Sequence, residues 1–177
     1  MFTRNKKGFT LVEIMIVVAI IGLLVAIAIP NLLRARLSAN ESAAKANMRT
    51  IITALENYRA DQNPPTYTDD LADLSAATPP YLEEGLTGAA GTNEGNKQGY
   101  TFDYFVTDPV TVTIGGTDYD IYTTYSLSAF PQSDGQTGNA TFYANSTGVI
   151  YSSADGTVDA PGDYSEDVPD GMIAIGG

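Results

Sequence analysis

The chain has 177 residues, of which 44% are hydrophobic, enough for one domain with a core, whereas two domains would be cramped. It contains no cysteine and no histidine. Their absence excludes disulfides, thiolate and imidazole nucleophiles, and the usual structural zinc ligands. Catalytic triads of the Ser-His-Asp and Cys-His kinds are therefore excluded.

The net charge of −12 is distributed unevenly along the chain. Residues 1–60 carry eight basic and three acidic residues, a net charge of +5, whereas residues 61–177 carry 18 acidic residues and Lys97 alone as a base, a net charge of −17. A domain this acidic repels nucleic acid phosphates. We therefore expect no nucleic acid partner for it.

A run of 21 residues from Phe9 to Ile29 is apolar apart from Thr10, Glu13 and Gly22. At about 1.5 Å per helical residue, the run is long enough to cross a hydrocarbon core of roughly 30 Å. The run is therefore either a membrane segment or a secretion signal.

A conventional signal peptide is one interpretation of this segment. Basic residues precede the apolar run, and Ala26-Ile27-Ala28 is a small-x-small cleavage site. Residues 1–28 would then only target a secreted or membrane-anchored enzyme or binding domain. Two features count against it: the run exceeds the usual apolar core of a signal peptide, and Glu13 costs about 3 kcal/mol inside a membrane.

The segment Lys7-Gly8-Phe9-Thr10-Leu11-Val12-Glu13, with the apolar run that continues to Pro30, resembles the N-terminus of a type IV pilin precursor. The related pseudopilins of type II secretion share this pattern. The resemblance implies that a prepilin peptidase in the inner membrane cuts after Gly8 and that Phe9 becomes the N-methylated first residue. Residues 1–8 would be a leader peptide that stays in the cytoplasm.

The resemblance also implies a location and a set of partners. The precursor and the monomer would lie in the inner (cytoplasmic) membrane, in contact with lipid, the peptidase and the assembly machinery. The assembled form would be an extracellular or periplasmic helical filament made of other copies of the same chain.

Glu13 is the residue of this segment that most needs an explanation, because a buried carboxylate without a counter-charge is costly. The resemblance implies that it meets the α-amino group of Phe9 on a neighbouring subunit during assembly. The alternative is a carboxylate that is tolerated near a helix N-terminus and hydrated at the membrane surface.

The helical pattern continues after the apolar run, so we predict one helix from about Thr10 to about Ala60. Pro30 removes one backbone donor, but apolar residues then recur at three- and four-residue steps, at Ala44, Met48, Ile51, Ile52, Leu55 and Tyr58. This makes residues 9–30 a transmembrane or filament-core segment and residues 31–62 an amphipathic half. Gly22 and Pro30 bound its weakest stretch, where we expect helix flexibility and local unwinding on assembly.

Residues 63–99 are predicted to connect the helix to a sheet, with a short helix around Asp69–Leu74 and a glycine-rich loop over 85–99. From 100 to 152 the period changes to two, which predicts antiparallel strands over 100–106, 110–114 and 119–127, followed by a hairpin of 141–144 with 149–152. Turns are predicted at 115–118 and 145–148. The fold class is therefore α+β: a long N-terminal helix, hydrophobic and then amphipathic, packed against a C-terminal antiparallel β-sheet, as in the pilin fold.

The acidic tail, 153–177, contains the weak calcium candidates Asp155, Asp159 and Asp163, because carboxylates on flexible loops can bind calcium. The spacing matches no EF-hand, and a solvated acidic loop is the preferred interpretation. No metal site is assigned, no other cofactor is expected, and no spacing of residues nominates a catalytic group.

The preferred function is that of a structural subunit, not an enzyme: a subunit of a type IV pilus or a pilus-like extracellular filament that assembles through its N-terminal helix. A pseudopilin of a type II secretion system would use the same mechanism, and the sequence does not separate the two. The secreted or anchored enzyme or binding domain remains the alternative from a different class.

Overall fold

The computed structural model describes residues 8–153 and 167–175, which form three helices and eight strands. The chain divides into two compact units, Met1–Arg36 and Leu37–Gly177. The first helix begins in the first unit and ends in the second, and the remaining elements all belong to the second unit.

Helix α1 spans Leu11–Asp61, which confirms the predicted helix within one residue at each end. Pro30 lies inside it without ending it. A proline removes one hydrogen-bond donor and crowds one carbonyl. The helix-forming residues on both sides are sufficient for the helix to continue through this position.

In the second unit, one face of α1 is buried in the core. The buried residues are Ala44, Met48, Ile51, Ala54 and Leu55, whereas Arg49 and Thr53 between them are exposed. This is the three- and four-residue spacing of one helix face. Burial of each large side chain in this stripe contributes roughly 1.5–3 kcal/mol.

A six-stranded antiparallel sheet packs against this stripe, which confirms the predicted α+β fold. Its strands in spatial order are β1 (Glu94–Lys97), β2 (Tyr100–Val106), β5 (Tyr125–Pro131), β6 (Thr141–Asn145), β7 (Ile150–Ser153) and β8 (Ile173–Ala174). Alternate residues of the central strands, among them Tyr100, Phe102 and Tyr104 of β2, join the helix stripe in one hydrophobic core. The predicted hairpin of β6 and β7 is present, with its turn closed by a hydrogen bond from the Gly148 N–H to the Asn145 carbonyl (2.9 Å).

Tyrosines supply much of this core, and two of the fully buried ones donate their hydroxyl groups to backbone carbonyls. The Tyr100 hydroxyl donates to the Ala140 carbonyl (2.9 Å) and the Tyr104 hydroxyl to the Thr68 carbonyl (2.7 Å). Burial raises the pKa of both phenols further above the ordinary value, at which a phenol is already a protonated donor at neutral pH. These bonds tie the sheet to the segments that flank it.

A separate two-stranded ribbon projects from the connection between β2 and β5. It consists of β3 (Val110–Ile114) and β4 (Thr117–Ile121). Gly115 and Gly116 form its predicted turn with φ of 62° and 86°. Hairpin turns with two left-handed central residues favour glycine for this reason.

The prediction of one strand over 119–127 is wrong, because the chain leaves the ribbon at Ile121 and enters the main sheet at Tyr125. Tyr122 bonds to another part of the chain. Its N–H donates to the Thr66 hydroxyl (2.8 Å), and its carbonyl accepts from the Tyr67 N–H (3.0 Å). These contacts separate the ribbon from the main sheet.

The connecting region also differs from the prediction. The short helix α2 is Asp73–Ala76, four residues later than expected at its start. Asp70 accounts for the delay, because its carboxylate accepts from the Ala72 and Gly91 N–H groups (2.9 and 2.7 Å) and holds the preceding residues in a turn.

The glycine-rich stretch 85–99, predicted as a loop, contains most of helix α3 (Glu84–Thr87) and the whole of strand β1. A side chain at Gly95 would overlap with the backbone of Leu86. Glycine therefore allows this strand to pack closely on α3, which local propensity does not reveal.

Gly138 is required by packing in the same way. A Cβ at this position would overlap with the Tyr100 ring, which is fully buried and fixed by its bond to Ala140. We expect Gly138→Ala to lower the free energy of unfolding by about 1–3 kcal/mol, the usual cost of overpacking. Chemical denaturation of the full chain in detergent measures this. Gly85→Ala is the matched control, since its Cβ would have nothing within 4 Å; equal stability of the two variants would contradict the expectation.

Candidate functional site

Three described residues, Gly8, Phe9 and Thr10, precede helix α1. Gly8 and Thr10 are exposed, and Phe9 is 80% exposed. A Cβ at Gly8 would have nothing within 4 Å. No described residue therefore requires glycine at position 8, in contrast to Gly138, and both residues that flank the bond between Gly8 and Phe9 are exposed.

Thr10 and Glu13 form a reciprocal cap on the N-terminus of α1. The Thr10 hydroxyl accepts from the Glu13 N–H (3.2 Å), and the Glu13 carboxylate accepts from the Thr10 N–H (3.4 Å). This is the capping box of the pattern Thr-x-x-Glu, which satisfies two backbone donors that a helix start otherwise leaves without partners.

The capping role of Thr10 and Glu13 is not among the predictions made from the sequence, which treat Glu13 as a charge. The signal was present, because a Thr followed three residues later by Glu just before an apolar run is a helix-start pattern. The cap fixes where the carboxylate lies: beside the backbone of Thr10, one residue from the Phe9 nitrogen.

The segment after the cap exposes an apolar side chain on every face. Sixteen large hydrophobic residues between Leu11 and Leu33 are 44% to 75% exposed, among them Leu11, Val17, Ile20, Leu23 and Leu33. By length and composition the helix can cross a membrane. A helix that is apolar all round needs lipid or other apolar partners, because water is a costly environment for it.

Gly22 and Pro30 lie on this same helix segment. A Cβ at Gly22 would have nothing within 4 Å, and Pro30 stands within the helical residues. The predicted cleavage position and methylated residue, Gly8 and Phe9, precede α1, and Glu13, Gly22 and Pro30 lie within it, so the predicted site residues follow one another along a single segment.

The calcium candidates Asp155, Asp159 and Asp163 lie outside the described residues. Within residues 8–153 and 167–175, no group of three or more acidic side chains is arranged to hold a metal ion.

Comparison with known proteins agrees with this arrangement. Residues 3–29 match the family model described as the prokaryotic N-terminal methylation motif. The chain is 46% identical over 71 residues to the type IV wide pilus major component PilA4 of Thermus thermophilus, covering 40% of the chain and 53% of the relative. It is 44% identical over 62 residues to the type IV major pilin protein PilA of Myxococcus xanthus, covering 35% of the chain and 28% of the relative.

A third relative comes from a secretion system. The chain is 34% identical over 97 residues to the type II secretion system core protein G of Pseudomonas aeruginosa, covering 55% of the chain and 63% of the relative. The chain thus spans less than two thirds of the length of each of these relatives. No solved structure matches the chain.

The chain therefore carries the N-terminal methylation motif, and its homologues are type IV pilins and core proteins of type II secretion. This confirms the resemblance stated from residues 7–13. The relatives are components of pili and of a secretion system, which agrees with the prediction that the chain is a structural protein and not an enzyme.

Proposed function

We propose that the chain is a structural subunit of a type IV pilus or a pilus-like extracellular filament. The observation that carries the proposal is a methylation motif on a helix segment that is apolar on all faces and exposed. Such a segment fits lipid before assembly and the centre of a bundle of identical helices afterwards.

Processing and methylation occur at the start of this segment. A prepilin peptidase cuts after Gly8, and Phe9 becomes the N-methylated first residue. An exposed bond flanked by a glycine supports this, because the missing side chain allows a protease to approach the backbone closely. The precursor and monomer lie in the inner membrane, and the filament lies outside it.

The Glu13 carboxylate pairs with the amine of a neighbouring subunit, and this pairing fixes the register of one subunit relative to the next. Once cleavage frees the Phe9 nitrogen, a neighbour's positive amine is the natural partner for a carboxylate in an apolar surrounding. The capping box supports this role, because it holds the carboxylate close to the level of the helix start.

A pseudopilin of a type II secretion system is the second candidate, favoured by the longer match to core protein G. The two pilins have the higher sequence identity to the chain, 46% and 44%, against 34% for core protein G, which favours the pilus subunit. Immunolabelling of intact cells separates the two, since a pilin appears on long surface filaments at native expression. If a strain in which the gene for this chain is deleted keeps its surface filaments but fails to secrete proteins, the pseudopilin is favoured.

Two valine substitutions decide between prepilin processing and a signal peptide. We expect Gly8→Val to leave an unprocessed precursor in the membrane and Ala28→Val to be processed normally. A signal peptidase would show the reverse pattern, because it needs a small residue at the end of Ala26-Ile27-Ala28. N-terminal mass spectrometry of the mature chain reads the result. Normal cleavage of Gly8→Val would refute processing at this bond.

Glu13→Gln separates the charge of this residue from its capping role, since glutamine also serves in a capping box. We expect Glu13→Gln and Glu13→Ala to insert in the membrane at least as well as the wild type, with a gain of about 3 kcal/mol for Glu13→Ala, which removes both the charge and the polar group. Both should yield far fewer filaments, measured by shearing and immunoblotting. Wild-type filament yield from Glu13→Gln would show that the carboxylate acts only as a cap.

The stretch between Gly22 and Pro30 is the part of α1 that we propose to unwind on assembly. In lipid each unsatisfied backbone group costs several kcal/mol, so the monomer keeps the helix. Between packed neighbours that cost falls, and the glycine and proline weaken the helix by about 1 and 3 kcal/mol relative to alanine. A filament map should show non-helical backbone between 22 and 30. Unbroken i to i−4 hydrogen bonds there would leave only a proline kink.

A further inference from the structure

The ribbon of β3 and β4 has one apolar and one polar face. Its register places Val110 opposite Ile121 and Val112 opposite Tyr119. Residues directly opposite each other in an antiparallel pair share a face, as do alternate residues of one strand. Ile114 follows Val112 by two residues and completes the apolar face.

The other face of the ribbon is polar and internally hydrogen-bonded. The Thr111 hydroxyl donates to the Asp120 carboxylate (2.7 Å), and the Thr113 hydroxyl donates to the Asp118 carboxylate (2.6 Å). The two carboxylates of β4 therefore lie away from the apolar face.

The apolar face is exposed to an unusual degree for this unit. In the described part of residues 37–177, only five large hydrophobic residues are exposed, and three of them are on this face: Val110 (51%), Ile114 (48%) and Tyr119 (39%). Strand β3 is also an uncharged run of β-branched residues that pairs only with β4 among the described strands. An exposed edge of this composition is a surface for strand or side-chain docking.

The ribbon is held firmly at its base. The backbone of Tyr122 bonds to Thr66 and Tyr67, and the Thr107 N–H donates to the Thr124 carbonyl (3.3 Å). Because the ribbon is anchored, its apolar face has a defined orientation. Binding of a partner therefore costs little conformational entropy in the ribbon.

The other two exposed hydrophobic residues form a second patch at the far edge of the main sheet. Ile173 (71%) and Ile175 (39%) belong to β8 and its end, where the Ile175 N–H donates to the Ile150 carbonyl (2.9 Å). Strands β6 and β7 separate β8 from β5, into which the ribbon leads. The ribbon face and the β8 patch are thus two different surfaces of the same unit.

We propose that the apolar face of the ribbon of one copy packs against the β8 patch, Ile173 and Ile175, of a second copy. This inference rests on the proposed function, in which identical subunits form a helical filament. A contact between two different patches repeats from copy to copy and generates a closed ring or an open helix, the latter being what a filament needs, whereas a patch that meets itself closes a pair.

Charge favours this choice of surfaces. Residues 61–177 carry a net charge of −17, so identical domains repel one another wherever carboxylates face each other. The side chains of the ribbon face and of the β8 patch are uncharged. A small contact suffices, because helices already associated in the filament hold the domains at a high effective concentration.

Cysteine cross-linking tests the contact directly, because the natural chain has no cysteine. Full-length chains that carry both Ile114→Cys and Ile173→Cys are assembled into filaments, oxidised, and run on a non-reducing gel. We expect a ladder of dimers and higher multimers, since disulfide formation needs Cβ atoms about 4 Å apart. The matched control is Thr113→Cys with Ile173→Cys, one residue away on the polar face, and it should remain monomeric.

Several results would overturn the inference. Filaments of the Ile114→Cys, Ile173→Cys chain that do not cross-link would show that the two patches do not meet. A dimer formed by Ile114→Cys alone would show that the ribbon meets another ribbon, and a ladder from the Thr113→Cys control would show that the face is not selective. Failure of the proposed function is distinct, because the wild-type chain would then form no filaments in the electron microscope.

Discussion

The fold depends on a single helix that must satisfy two different environments. Between Leu11 and Leu33 the apolar side chains of α1 cover every face, whereas between Ala44 and Leu55 they are confined to one stripe. Within residues 8–153 and 167–175, only the stripe packs against another element, chiefly the aromatic face of the sheet. The segment from Leu11 to Leu33 is therefore suited to contact with lipid or with other copies of the chain. The sheet buries the apolar stripe of the second half of the helix.

The capping box gives Glu13 a structural role in the single chain, besides the assembly role that we propose for it. In the single chain its carboxylate satisfies the Thr10 N–H, an interaction worth about 1 kcal/mol. In the proposed filament an uncompensated charge would cost several kcal/mol, so pairing with a neighbour's amine would contribute more than the cap. The cap orders the helix start in the single chain and holds the carboxylate beside it, where the proposed pairing would take place.

The elements predicted well from the sequence are those in which local pattern and tertiary packing agree. The stripe of α1, the strand at Tyr100 and the turn at Gly115 combine the right period with the right residues. Strand β1 was missed because its glycine-rich sequence becomes a strand only by pairing with β2. The alternation over 119–127 does not predict the break at Tyr122. The break is caused by backbone contacts with Tyr67, which is distant in the sequence.

The candidate site shows the same division. Gly8, Phe9 and Glu13 are site predictions that rest on the resemblance of a local segment, and the segment itself matches the methylation motif. The role of Thr10 could have been read from its spacing to Glu13. The ribbon face could not, because its exposure depends on where the chain leaves the main sheet, and alternation alone predicts a buried face as readily as an exposed one.

Assembly from the membrane cannot be driven by the apolar helix alone. Lipid tails are as apolar as leucine, so transferring the segment from Leu11 to Leu33 from lipid to a bundle of like helices yields little hydrophobic free energy. Apolar contacts are also non-directional and do not fix one helix against the next. In the proposed filament, directional interactions would therefore come from the pairing of Glu13 with a neighbour's amine and from contacts between the acidic domains. Because domains of this charge repel one another, such contacts are favoured at their uncharged surfaces.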